Sequence, residues 1–178
     1  YGRDYEGTRY SPLTQLNKDN INNLVPKWNL SLGIIGAQDS QVVAVRGRLY
    51  VTTSHNKLYA LDGETGKILW KYERALPGDL GPKLCCGAVN RGAAVYKNTV
   101  FMATLDTHMM AFDSTTGKIL WDKKLGDYKT GEILTSMPMI IKGMVVIGNS
   151  GGDLGANAGT VYALNTKILC VHCMHCLN

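Results

Sequence analysis

Apolar residues in this chain fall in short runs of three to six, separated by clusters of Gly, Asp, Asn and Ser, and no stretch sustains a helical period. The pattern predicts strands over Gln41–Val45, Leu49–Thr53, Leu58–Leu61 and Ile68–Tyr72, with breaks at Arg46-Gly47, Ser54–Lys57 and Asp62–Gly66. It predicts four more over Ala93–Tyr96, Thr99–Thr104, His108–Phe112 and Ile119–Lys123. A third, shorter set covers Pro138–Ile141, Met144–Ile147 and Thr160–Leu164. The runs are rich in Val, Ile, Tyr and Met, residues that suit a pleated, half-buried surface.

The sets are copies of one another. Leu58-Tyr59-Ala60-Leu61-Asp62-Gly63-Glu64-Thr65-Gly66-Lys67-Ile68-Leu69-Trp70 aligns with Met109-Met110-Ala111-Phe112-Asp113-Ser114-Thr115-Thr116-Gly117-Lys118-Ile119-Leu120-Trp121. Ala60 and Ala111 are 51 positions apart, and Ala163, in Val161-Tyr162-Ala163-Leu164-Asn165, follows 52 positions later. That period suits a blade of four antiparallel strands, so the expected fold class is all-β, a β-propeller with about three blades present. Trp28 fits an earlier, partial copy. In Asp-x-x-Thr-Gly the Asp side chain can accept from turn amides, and Gly supplies the positive φ that closes the turn. The following Trp is expected to lie flat between blades with its indole N–H on a backbone acceptor. Blades bury their faces only against neighbours, and three cannot close a ring, so a fragment is expected.

Composition narrows the class without naming it. In 178 residues, 45% are hydrophobic and 19% charged, which excludes a disordered chain. No apolar run is long enough for a membrane-spanning helix. The first residue is Tyr1, with no basic-then-apolar leader, so a removed signal or an upstream start is expected. The net charge of +5 is spread thinly, which gives no support for nucleic-acid binding.

The candidate chemistry starts at Cys85-Cys86. Adjacent Cα atoms lie about 3.8 Å apart, below the usual disulfide range of about 4.4–6.8 Å. The pair is therefore either a strained ring kept for function or two unrelated thiols. Its surroundings, Cys85-Cys86-Gly87-Ala88-Val89-Asn90-Arg91-Gly92 between two Trp-ended repeats, resemble the methanol and ethanol dehydrogenases that depend on pyrroloquinoline quinone (PQQ). The opening Tyr1-Gly2-Arg3-Asp4-Tyr5-Glu6-Gly7-Thr8-Arg9-Tyr10-Ser11-Pro12-Leu13 does too, and the resemblance covers residues 1–165.

The resemblance implies an eight-bladed propeller with PQQ and a metal ion in the axial funnel. It implies a disulfide between Cys85 and Cys86 stacked on the cofactor, and Arg91 donating to the quinone oxygens. Thr135 and Ser150 match cofactor-contacting hydroxyls, and Asp39 matches a glutamate near the cofactor carboxylates. Asp153 falls where the family has a glutamate metal ligand for Ca²⁺ or a lanthanide. Both aspartates are one methylene short of the family residue, and Ala156-Asn157-Ala158-Gly159 also departs from the family pattern.

The implied activity is oxidation of a primary alcohol such as methanol or ethanol to the aldehyde, in the periplasm, with a c-type cytochrome taking the electrons. The catalytic base belongs to later blades, so no catalytic residue is assigned and these residues alone are expected to be inactive. The alternatives are a non-enzymatic propeller scaffold of the outer-membrane assembly type and a PQQ sugar dehydrogenase. The Cys85-Cys86 pair with Arg91 favours the alcohol enzymes.

Residues 166–178 leave the repeat pattern. Cys170, Cys173 and Cys176 with His172 and His175 superficially resemble a metal cluster, but Met174 stands where a haem-attachment motif needs His. A truncated or frame-shifted end is the expected account.

Overall fold

A computed structural model describes residue 4, residues 6–152 and 158–166, and the backbone of 171–174. The chain divides into two compact units, Tyr1–Leu30 and Ser31–Asn178. In the first, Asn17 and Asn20 tie a polar loop into a single 3₁₀ turn at Ile21–Asn23, and no strand forms at Trp28.

The second unit is all-β, with no α-helix among the described residues. Its described residues form three four-stranded antiparallel sheets. The first is β1 (Val43–Val45), β2 (Arg48–Thr53), β3 (Lys57–Asp62) and β4 (Ile68–Glu73). The second is β5 (Ala94–Tyr96), β6 (Thr99–Ala103), β7 (His108–Asp113) and β8 (Ile119–Lys124). The third is β9 (Met139–Ile141), β10 (Met144–Gly148), β11 (Val161–Asn165) and β12 (Val171–Met174). In each the strands follow in chain order, and the first strands of successive sheets lie side by side. Observed strand ends lie within two residues of those expected. The difference is β12: its main chain pairs with β11 and supplies the fourth strand where the sequence reads as a tail outside the repeat.

The sheets stack face to face, and strand alternation explains how. On the second sheet, Val100, Met102, Met110 and Phe112 face Tyr50, Leu58, Ala60 and Trp70 of the first. Their neighbours Phe101, Ala103, Met109 and Ala111 face Val145, Ile147, Tyr162 and Leu164 of the third. Burial on both faces is why β6 and β7 are apolar almost continuously rather than alternately.

The repeated turns are built alike. Asp62 Oδ1 accepts from the amides of Glu64 (3.1 Å) and Thr65 (2.8 Å) and from the Thr65 hydroxyl (2.8 Å). Asp113 Oδ1 does the same with Thr115 and Thr116 at 3.0, 2.8 and 2.8 Å. Gly66 and Gly117 close these turns at φ 73° and 72°. Trp70 crosses the seam as expected, and its Nε1 donates to the Ser114 carbonyl at 3.1 Å. Its ring lies on Gly117, where an added Cβ would fall 2.6 Å from the indole.

Candidate functional site

The segments that join one sheet to the next carry the site. Just before each first strand, the main chain forms a lateral belt: Gln41 N donates to Arg91 O, and Arg91 N donates to Thr135 O, both at 3.0 Å. The belt fixes Arg91 and Thr135 side by side a few residues ahead of β5 and β9. Beyond it, Ser150 N and Oγ both donate to the Ile133 carbonyl, at 2.8 and 3.1 Å.

Asn90, fully enclosed, holds the approach to Arg91. Its Nδ2 donates to Asn56 Oδ1 (3.1 Å) and the Ala103 carbonyl (2.8 Å), and its Oδ1 accepts from Gly92 N (3.1 Å). Gly92 sits at φ 137° with the Gln41 carbonyl and Met137 sulfur each 3.2 Å from where a Cβ would be, so this crossing requires glycine. Gly151 is similar: a Cβ there would collide with the Gly131 carbonyl. Leu80, Leu105 and Ile133 pack beneath the connections, with Leu76, Leu84 and Tyr128 around them.

The result is an open cleft of about 270 Å³ that gathers five of the residues singled out from sequence: Cys85, Cys86, Arg91, Thr135 and Ser150. Cys85 and Cys86 are exposed, with Sγ atoms 2.9 Å apart. Arg91 is half-buried, and its guanidinium has no hydrogen-bond or ion-pair partner among the described residues. Among the described residues no carboxylate side chain lines the cleft; Lys83 adds a second cation, its Nζ donating to the Lys129 carbonyl at 3.2 Å. Asp39 is exposed and does not line the cleft. Asp153 lies outside the described residues, as do Cys170 and Cys176 and the Cys173 side chain. Among the described residues no group of three or more His, Cys, Asp or Glu could hold a metal ion, and no helix is long and apolar enough to cross a membrane.

Sequence reasoning missed Lys83, Asn90 as an anchor, and Gly151. Asn90 stands inside the quoted motif, and its polar side chain between Val89 and the buried Gly92-Ala93 was the available signal. Nothing local marks Lys83.

Comparison with known proteins agrees with the geometry. The family model described as PQQ glucose/ethanol/alcohol dehydrogenase, β-propeller domain, matches residues 1–167. The 1-butanol dehydrogenase (quinone) of Thauera butanivorans is 43% identical over 163 residues, covering 87% of this chain and 26% of that protein. Among solved structures, the quinohemoprotein alcohol dehydrogenase ADHIIG of Pseudomonas putida HK5 superposes with a TM-score of 0.89 at 34% identity, covering 96% of this chain and 25% of that one. A europium-containing methanol dehydrogenase superposes with a TM-score of 0.85 at 33% identity, covering 97% of this chain and 31% of that one. The chain spans about a quarter of the length of the curated relatives it matches. A repeated four-stranded blade, a Cys-Cys pair beside an arginine in the cleft between blade connections, and a match over nearly every residue lead to one conclusion: this chain belongs to the PQQ-dependent alcohol dehydrogenase family of β-propeller oxidoreductases.

Proposed function

We propose that this chain forms one wall of the cofactor site of a quinoprotein that oxidises a primary alcohol such as methanol or ethanol to the aldehyde. The reading includes PQQ, a Ca²⁺ or lanthanide ion, a c-type cytochrome as electron acceptor, and a periplasmic location. The observation that carries it is the convergence of Cys85, Cys86, Arg91, Thr135 and Ser150 on one cleft.

The residues present fit such a cofactor. A flat quinone bearing several carboxylates needs cations to meet them, and Arg91 and Lys83 line the cleft. It also needs an apolar or polarisable surface, which the two sulfurs and the side chains of Val89 and Ile133 offer. When bound, PQQ supplies the electrophilic quinone carbonyl that accepts hydride from the alcohol.

The chain's own residues bind and orient. Arg91, held by the belt through its main chain, donates to the quinone oxygens and stabilises negative charge that develops there. Thr135 Oγ1 would supply a neutral hydrogen bond to the cofactor, and Ser150, whose Oγ donates to the Ile133 carbonyl, would offer its hydroxyl oxygen beside it. Cys85 and Cys86, joined as a disulfide in an oxidising compartment, form a compact face for stacking. Asp153 is the residue assigned to the metal. The general base is assigned to blades beyond this chain.

The test is a fluorescence titration of the oxidised chain with PQQ and Ca²⁺. Saturable quenching is expected, with Arg91→Ala weakening the affinity roughly tenfold or more. Absence of saturable binding by the unaltered chain overturns the reading.

A further inference from the structure

A second pocket lies at the other end of the strands. The cofactor cleft is made by the connections between sheets, whereas this one is made by the β1–β2 and β5–β6 hairpins and the turn after β7. It sits on the seam between the first two sheets and is lined by Arg46, Arg48, Lys97, Asn98, Thr115 and Tyr50, among others. Its volume of about 60 Å³ is far below that of an organic cofactor site. With a water's share of the liquid about 30 Å³, it holds one small ion and little else.

Two guanidinium groups converge on it and Lys97 lines its rim; none of the three forms an ion pair among the described residues. Arg46 Nη1 donates to Asn98 Oδ1 at 2.9 Å, across the seam. Arg48 Nη1 donates to Thr115 Oγ1 at 3.1 Å and to the Ser114 carbonyl at 3.4 Å. Lys97, at the hairpin tip, has its Nζ 5.3 Å from the centre of the Tyr96 ring, which packs toward the third sheet. Every one of these partners is neutral. The carboxylate of Asp113 is close enough to feel Arg48, but its Oδ1 is already committed to three donors of its own turn.

The backbone supplies an independent observation. Arg46 and Lys97 occupy the first turn position of equivalent hairpins with φ of 50° and 55°, and Lys142 does so in the third sheet with φ of 47°. Left-handed backbone favours Gly, Asn or Asp, and a long side chain there is strained. All three equivalent positions nevertheless hold a cation, in the place where an uncharged turn residue is conformationally better.

The geometry points to an oxyanion site on this seam, taking a phosphate-type group whose oxygens are shared between Arg46 and Lys97 at the rim and Arg48 at the base. A bound oxyanion bridges the two sheets where their cations otherwise repel, so occupancy stabilises the fold. The group can come from free phosphate or from an anionic lipid headgroup.

Thermal unfolding of the purified chain at rising inorganic phosphate, with ionic strength held constant by NaCl, tests this. A saturable rise in Tm is expected, and the double variant Arg46→Asn, Lys97→Asn weakens its half-saturation roughly tenfold. Asn suits left-handed backbone, so the hairpins keep their shape while the charge is lost. Lys67→Asn, a lysine of the first sheet's other turn, leaves the response unchanged. Co-sedimentation with phosphatidylglycerol but not phosphatidylcholine vesicles, lost in the double variant, identifies a headgroup as the source; a phosphate response without vesicle binding identifies the free ion. A rise that NaCl alone reproduces, or that the double variant retains in full, overturns the proposal.

Discussion

At the scale of single residues, Trp70 and Gly117 make the sharpest case. The indole spans a seam, donates to Ser114 O and lies on a glycine that has no room for a Cβ. Gly117→Ala therefore meets two costs: positive φ, and overlap with the ring. Gly47, at φ 74° with nothing within 4 Å of an added Cβ, meets only the first. Urea unfolding is expected to show Gly47→Ala losing about 1 kcal/mol and Gly117→Ala losing about 2–4 kcal/mol. Equal losses would mean that the indole yields freely. These turns were legible from sequence because Asp, Thr and Gly each carry a local conformational signal, and because the copy at Asp62 repeats it.

At the scale of elements, the connection from Asn90 to Gly92 separates anchoring from recognition. Asn90 makes three side-chain hydrogen bonds in full burial, whereas the Arg91 guanidinium makes none among the described residues. Asn90→Ala is expected to destabilise the chain by about 2–3 kcal/mol, by leaving buried groups unmatched, and to weaken PQQ binding as well. Arg91→Ala is expected to weaken PQQ binding while stability stays within about 0.5 kcal/mol. Denaturant curves beside the fluorescence titration distinguish the two.

Strand positions could be read because each apolar run ends at a turn residue. β12 could not: Val171-His172-Cys173-Met174 has no strand composition, and its pairing is set by register with β11. The belt through Gln41, Arg91 and Thr135 was invisible for a related reason, since main-chain hydrogen bonds leave no mark on residue type.

At the scale of the whole second unit, one ion-pair network pins the first sheet to the second. Arg74, beyond β4, donates through Nε and Nη2 to Asp106 at 2.7–2.9 Å and through Nη1 to Asp122 at 3.0 Å; His108 Nδ1 meets Asp122 at 2.6 Å. The Arg74 and Asp106 side chains are 12% and 9% exposed, so the pair is shielded from water. Burial pushes the Asp106 carboxyl up, but the Arg74 hydrogen bonds and charge outweigh it and hold the group below its ordinary value. Burial likewise disfavours the Arg74 cation, and Asp106 more than compensates. A carboxyl depressed in the folded state contributes stability above its unfolded value of about 3.9, and the contribution is lost as pH falls through the folded value.

Arg74→Met leaves Asp106 buried without its cation and is expected to cost about 3–5 kcal/mol at pH 7. Burial is then opposed only by the Thr104 hydrogen bond and the His108 charge, so the acid-side loss begins at higher pH than in the unaltered chain. Urea midpoints from pH 7 down to 3 measure both effects. Sequence carried no warning of this network, because Arg74 lies 32 and 48 positions from its two carboxylate partners.

The belt has a further consequence. Gln41, Arg91 and Thr135 are joined through amide and carbonyl groups that any residue except proline possesses, so the register of neighbouring sheets does not depend on which side chains stand there. Ligand preference can drift by substitution at Arg91 and Thr135, which line the cleft, without renegotiating the scaffold. The same frame can thus serve as a socket for differently decorated quinones, or for none.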